Sequence, residues 1–158
     1  MLIKKQEMIL SDDYFKKLCS EVSHILQFAD KNALGNGERV TLDDVDFFLI
    51  SNFYQDQYAR LILDLGEVEQ DFKPEIYEAM FAMQGVLDGS LDAVFDYDHI
   101  RSCLMFRIKL PINLNTTAEG LVSVIKSFVL QIREWRNTLL KNKLLLEELE
   151  SSQHYPLA

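Results

Sequence analysis

The sequence predicts an α+β domain in which an antiparallel β-sheet of about five strands packs against three helices, in the order α-β-β-β-α-β-β-α. Two observations predict this fold class. Apolar residues recur at three- and four-residue spacing near both ends of the chain and in its middle, which is the helical period. Between these segments lie apolar and aromatic runs joined by short polar turns, and consecutive strands with short connections pair antiparallel. The 158 residues, 48% of them apolar, suffice for a single domain with its own core.

The first helix is expected at about residues 11–29, where Ser11 can cap the helix and apolar side chains follow on one face. The Gly-Asn-Gly sequence at residues 35–37 predicts a loop. A short strand is expected after it, near residues 40–42.

A hairpin is predicted next, with strands at residues 45–54 and 58–65. Both faces of its first strand are largely apolar, whereas a one-sided antiparallel strand alternates apolar and polar side chains. Two explanations remain open. Helices cover both faces, or one face, with Phe48, Ile50 and Tyr54, is an apolar surface for an extended ligand.

The second helix is predicted at residues 76–87, where nine of twelve residues are apolar. One face carries Ile76, Met80, Met83 and Leu87, and another carries Tyr77 and Phe81. A helix that is apolar nearly all round must be covered on more than one side. It is therefore either a central helix of a monomer or the contact between two copies, and the sequence leaves open which face would form that contact.

A second hairpin is expected at residues 91–97 and 100–110, and a long helix follows it. Thr116 and Glu119 form a capping box at the start of this helix. Apolar residues then recur at 4/3 spacing as far as Leu149, interrupted by Asn142. One domain is predicted, with a core at about 11–140 and a helical extension at 141–158. Within the extension, residues 144–149 form either a coiled-coil-like arm or a frayed tail.

Composition excludes several functions. There are 16 basic and 25 acidic residues, a formal net charge of −9, and no dense basic stretch, which argues against nucleic-acid binding. No apolar run approaches the roughly 20 residues that a membrane span needs. The first residues carry two lysines but no apolar segment of a secretory signal, so a cytoplasmic location is expected.

Catalytic chemistry finds little support. Cys19 and Cys103 have no metal-binding spacing, and the sequence has neither a phosphate-binding loop nor a nucleophile elbow. His99, in a turn with Asp96 and Asp98, is the best candidate for a metal or catalytic site, and ligand-type residues are otherwise absent nearby in the sequence. We expect no catalysis, no metal and no cofactor.

Four segments, in their order along the chain, carry a resemblance to a known family. They are the hairpin VDFFLISNFYQDQYARLILDLGEV, the helix PEIYEAMFAMQGVLDG, the hairpin LDAVFDYDHIRSCLMFRIKLP and the final helix with FVLQIREW. Together they are similar to the Tir chaperone (CesT-like) family, the class I type III secretion chaperones. The resemblance covers about residues 14–140. The first ten residues and those beyond 140 lie outside it and could serve a partner that the family does not share.

The resemblance implies a non-catalytic protein of the bacterial cytosol that binds the extended N-terminal segment of secreted effectors and keeps it ready for export. It also implies the secretion ATPase as a partner, and a homodimer formed through the second helix and an adjacent strand. We place the dimer interface at Ile76, Met80, Met83, Val86, Leu87 and Val94. We place effector binding on the first helix and the sheet, at Phe15, Leu18, Phe48, Ile50, Tyr54 and Met105.

The alternative function belongs to another class. The chain could be an adaptor subunit of a regulatory complex that binds a folded partner through its C-terminal extension. A chaperone changes the solubility of its client, whereas an adaptor does not.

Overall fold

The computed structural model of the chain describes residues 2–51, 58–68, 70–87 and 92–142. It confirms the predicted α+β fold class and the predicted element order. The helices and strands, in chain order, are α1 (Leu2–Ile25), β1 (Val40–Leu42), β2 (Val45–Ser51), β3 (Tyr58–Gly66), α2 (Lys73–Leu87), β4 (Ala93–Asp98), β5 (Cys103–Pro111) and α3 (Ala118–Asn137), with a short 3-10 helix at Gln70–Phe72 before α2.

The five strands form one antiparallel sheet in the order β1-β2-β3-β5-β4. β1 and β2 are joined by a two-residue turn in which Asp43 and Asp44 have φ angles of 48° and 65°. Two successive positive φ angles give the turn type whose twist matches that of the flanking strands. β3 and β5 pair from Tyr58 opposite Pro111 to Gly66 opposite Leu104, and Gly66, at φ 113°, accommodates a bulge. The edges of the sheet are therefore the short β1 and the longer β4.

The ends of α1 and α3 differ from the predicted ones. α1 starts at Leu2 rather than near Ser11 and ends at Ile25, where Gln27 takes a left-handed φ of 59° and the Phe28 N–H bonds the Ser23 carbonyl. At α3 the predicted cap is wrong by one residue. Thr117, not Thr116, accepts the Gly120 N–H at 3.1 Å. The side chain of Thr116 instead accepts the Asn113 N–H and so belongs to the preceding turn.

The apolar stripe of α3 continues beyond the end of the helix. α3 ends at Asn137, but Leu139 and Leu140 remain buried in the turn that follows. Asn142 has a φ of 53°, so the helix does not continue through it as the stripe predicted. The predicted arm at 144–149 lies outside the described residues.

The three helices pack on one face of the sheet and form a single core with it. The strands contribute Phe47, Leu61, Leu63 and Phe106 to this core, and α3 contributes its apolar stripe. Trp135 of α3 packs edge-on against Phe106, with ring centroids 5.0 Å apart. Within the described ranges, no residue of a helix joins the small apolar cluster on the other face of the sheet.

None of the helices in the described part of the chain combines the length and the apolar character that a membrane crossing requires.

Candidate functional site

The outer sheet face is the side of the sheet opposite the helices. Strand alternation places Phe48 and Ile50 of β2 on it, because Phe47 and Leu49 point into the core. At its centre, Ile62, Cys103 and Met105 form an apolar cluster against which Phe48 packs. Ile50 is 45% exposed beside this cluster. The face therefore offers a partly open apolar surface to solvent.

Charged pairs surround the apolar cluster on the outer sheet face. Arg39 approaches Asp46 at 3.9 Å, and Lys109 approaches Asp92 at 3.7 Å, and both pairs are solvent-exposed. Two further pairs, Arg101–Asp64 at 2.5 Å and Arg107–Asp96, lie closer to the centre. The exposed pairs contribute little stability but give the surface a fixed pattern of charge, whereas Asp64 of the Arg101–Asp64 pair is buried.

Two cations of the outer sheet face also contact aromatic rings. The Arg39 guanidinium lies 5.6 Å from the centroid of the Phe48 ring, and the Lys109 ammonium lies 4.1 Å from that of Tyr58. These contacts hold both rings against the sheet.

Two polar atoms on this face are buried without a hydrogen-bond partner in the described structure. They are Oδ1 of Asp64 and Nε of Arg107. Ile62 lies opposite Arg107, and Asp64 lies opposite Met105, so both atoms border the apolar cluster. Leaving a buried polar atom unpaired costs about 1–3 kcal/mol, so both atoms oppose the stability of this face.

A second candidate surface is the α2–β4 groove, which encloses about 560 Å³. It lies between the exposed side of α2 and the edge strand β4. Its lining residues are Tyr77, Met80, Phe81, Gln84, Val94, Phe95, Asp96, Tyr97 and Leu104. Asp96 contributes the one charged side chain of this lining, and Arg107 pairs with it.

Phe81 projects from the rim of the α2–β4 groove with 79% of its surface exposed. Val94, 51% exposed, lies on the facing strand. Full burial of a side chain like these contributes about 1.5–3 kcal/mol relative to exposure. A contiguous exposed apolar patch of this kind is typical of an interaction surface.

The predicted dimer-interface residues divide into two groups. Met80 and Val94 line the α2–β4 groove, and Val86 is exposed near its end. Ile76, Met83 and Leu87 are buried in the core of this same chain, because the sheet and α3 cover that face of α2. They offer no surface to a partner.

The α2–β4 groove is also lined by Tyr77 and Phe81, which the predicted dimer interface does not include. Helical periodicity places them on a separate face of α2, but it cannot tell which face of an all-apolar helix the rest of the chain covers.

The predicted effector-binding residues also divide. Phe48, Ile50 and Met105 come together on the outer sheet face, Met105 as a buried member of the apolar cluster. Phe15 and Leu18 are buried in the main core, because they belong to the face of α1 that packs on the sheet and α3. Tyr54 lies outside the described residues.

The turn between β4 and β5 uses its carboxylates structurally. Asp98 Oδ1 accepts the N–H groups of Ile100 and Arg101, which fixes the turn, and Asp96 pairs with Arg107. His99 is exposed. In the part of the chain that the structure describes, no three His, Cys, Asp or Glu side chains gather as a metal site would require.

The two thiols are held in their neutral form. Burial raises the pKa of Cys19 to about 12. Burial, and after it the negative charge of Asp64, raise the pKa of Cys103 as well. Because the thiolate is the nucleophilic form, both environments lower reactivity rather than increase it.

Comparisons with known proteins place the fold. No protein-family model matches the sequence, and no curated protein matches it significantly. Among solved structures, a chain of the ExsC–ExsE complex superposes with a TM-score of 0.61 at 11% identity, over 81% of this chain and 95% of that chain. A chain of the HopA1–SchA chaperone–effector complex superposes with a TM-score of 0.60 at 18% identity, over 82% of this chain and 98% of that chain. At such identities the similarity shows a shared fold.

Proposed function

We propose that this chain is a type III secretion chaperone of class I, in the Tir chaperone family, which binds an extended N-terminal segment of one or more secreted effectors in the bacterial cytosol. The outer sheet face carries the proposal, because it combines the exposed Ile50, beside a small apolar cluster, with a rim of charged pairs. The described similarity to a chain of a chaperone–effector complex supports the same function.

The outer sheet face suits an extended peptide segment better than the surface of a folded partner. Apolar side chains of such a segment would cover Ile50 and Phe48, and each fully buried aliphatic or aromatic side chain contributes about 1.5–3 kcal/mol. These gains would offset the entropy lost when a disordered segment is ordered.

The acidic character of the chain fits a client that carries basic residues. A net charge of −9 keeps the chaperone soluble and attracts positively charged segments at a distance. The secretion ATPase, which the family resemblance implies as a partner, remains an expectation.

The chaperone would act as a homodimer through the α2–β4 groove. A twofold interface uses the same patch on both copies, so it must present both a projection and a cavity. The patch has both, since Phe81 projects beside a groove of about 560 Å³ lined mainly by apolar side chains. Two acidic copies also repel each other, and this patch carries little of the charge, since its lining aspartate is already paired with Arg107.

The decisive experiment co-expresses the chain with the N-terminal segment of a secreted protein encoded beside its gene. We expect the segment to be insoluble or degraded alone and soluble with the wild-type chain. Ile50→Asp places a charge on the outer sheet face and should weaken binding of the purified segment about tenfold or more, measured by calorimetry.

The matched control is Leu130→Asp, since Leu130 is 59% exposed on α3, on the other side of the molecule. It should bind the segment as tightly as the wild type. A segment whose solubility does not depend on the chain would contradict the chaperone function and favour the adaptor. Equal affinities for the Ile50→Asp and Leu130→Asp variants would move the binding site off the outer sheet face.

A further inference from the structure

The outer edge of β4 carries backbone groups that another strand could bond. β4 is the last strand of the sheet, and alternate residues of an edge strand point their N–H and C=O groups away from it. Asp92 bonds towards β5, since its carbonyl accepts the Lys109 N–H at 3.0 Å. Alternation then turns the backbone groups of Ala93, Phe95 and Tyr97 outwards. An edge of this kind is a template for pairing with another chain.

Two of these outward groups are already occupied by one side chain of α2. Gln84 Nε2 donates to the Ala93 carbonyl at 2.8 Å, and Gln84 Oε1 accepts the Phe95 N–H at 3.0 Å. A carboxamide has a donor and an acceptor side by side, as a peptide group has. Gln84 therefore bonds β4 in the way that the backbone of an added strand would.

The next outward donor is also occupied. The Tyr97 N–H bonds Asp96 Oδ1 at 2.9 Å. The other oxygen of Asp96 pairs with Arg107 of β5, which holds the carboxylate in place. An incoming strand would therefore have to break hydrogen bonds at both Phe95 and Tyr97 before it could form its own.

We propose that the Gln84 carboxamide closes the β4 edge to strand addition, so that the α2–β4 groove accepts partners through side-chain contacts, as an apolar helix face makes them, and not through backbone pairing. Gln84 is held on the described helix α2 and is half-buried, so its position is fixed by the fold. The inference goes beyond the proposed function, since it holds whether or not the chain binds effectors.

The closure has a consequence for assembly. Without it, an edge strand in which four of six residues are apolar would lie beside the exposed Phe81, and this combination favours open-ended strand pairing. With the β4 edge closed by Gln84, association at this surface is limited to contacts within the α2–β4 groove.

The test removes the carboxamide and keeps the length of the side chain. Gln84→Met loses both hydrogen bonds to β4, and Gln131→Met is the control, because Gln131 is a half-buried glutamine of α3 whose side chain bonds Glu134 and not a strand. Amide hydrogen exchange of the chain alone is followed by NMR at Phe95. We expect exchange about three- to tenfold faster in Gln84→Met than in the wild type, and no change at Phe95 in Gln131→Met.

Light scattering and infrared spectroscopy then follow assembly of the same samples. Gln84→Met should form species larger than the wild type, with the infrared signal of intermolecular β-sheet, while Gln131→Met should not. Should Gln84→Met not fold, Gln84→Ala, which favours the helix and also lacks the carboxamide, is measured in its place with the same expectation.

Wild-type exchange at Phe95 together with wild-type size in the Gln84 variant would overturn the inference. Intermolecular backbone contacts at Phe95 in the wild-type protein would overturn it too. Because no effector segment is present in these measurements, a failure of the proposed chaperone function would leave their outcome unaffected.

Discussion

Arg136, near the end of α3, bonds three backbone carbonyls that lie on two separate segments of the chain. Its Nε donates to the Leu65 carbonyl at 3.0 Å, Nη1 to the Asp44 carbonyl at 2.7 Å and Nη2 to the Asp64 carbonyl at 2.8 Å. The end of β3 and the turn between β1 and β2 are thereby tied to the helix. Only a planar guanidinium has donors spread widely enough for all three acceptors.

We expect Arg136→Lys to lower the free energy of unfolding by about 1–3 kcal/mol, because an ammonium cannot span the three carbonyls and leaves at least one of them unpaired. Urea unfolding followed by the fluorescence of Trp135, the one tryptophan of the chain, measures the effect. Arg133→Lys is the control, since Arg133 is exposed on the same helix. Equal urea midpoints for the two variants would show that the three hydrogen bonds of Arg136 make no net contribution to stability.

At the scale of the element, α3 organises the core through its aromatic contact with the sheet. Trp135 is buried between Phe106, at 5.0 Å, and Phe95, at 5.3 Å between ring centroids. Its indole N–H has no hydrogen-bond partner in the described structure. The tryptophan therefore contributes through packing, and its polar atom opposes stability.

This balance predicts a large difference between two substitutions. Trp135→Ala should cost about 3–5 kcal/mol, because it leaves a large cavity. Trp135→Phe should cost roughly 1–2 kcal/mol, because an aromatic ring remains and the unpaired N–H is removed. Circular dichroism during urea unfolding gives both values, with Leu130→Ala on the exposed face as a near-neutral control. Similar losses of unfolding free energy in the two Trp135 variants would mean that a phenyl ring at position 135 does not pack against Phe95 and Phe106.

Helix α2 shows how much helical periodicity can predict about a helix. The pattern identified an apolar helix that needs cover on more than one side, and the structure places Ile76, Met83 and Leu87 in the core and Phe81 in solvent. Which side faces inwards depends on where the sheet edge lies, and no local pattern contains that information. The same limit explains why Phe15 and Leu18 were assigned to binding although they pack in the core.

At the scale of the whole molecule, the proposed homodimer predicts a solution mass near twice 18.3 kDa by light scattering. Phe81→Glu should return it to the mass of one chain, because a buried unpaired carboxylate opposes association at the seam. Met83→Glu would not test the proposed homodimer, because Met83 lies in the core and the variant would unfold the chain.

Leu130→Glu provides the matched control for the dimer, because it places the same charge on an exposed leucine of α3 that does not line the groove. It should keep the mass of two chains. A wild type that remains a single chain at high concentration, or a Phe81→Glu variant that still pairs, would contradict the groove as the seam.

Local periodicity, turns and caps are sufficient to predict the fold class, the element order and the apolar character of α2 and β2. Strand alternation is also a local property, and it predicts that Phe48 and Ile50 share one face of β2. The folded chain sets which face of each helix is covered, that Gln84 closes the β4 edge and that Arg136 spans three carbonyls. Those features join residues distant in sequence, such as Arg136 and Asp44, and only folding fixes their separation.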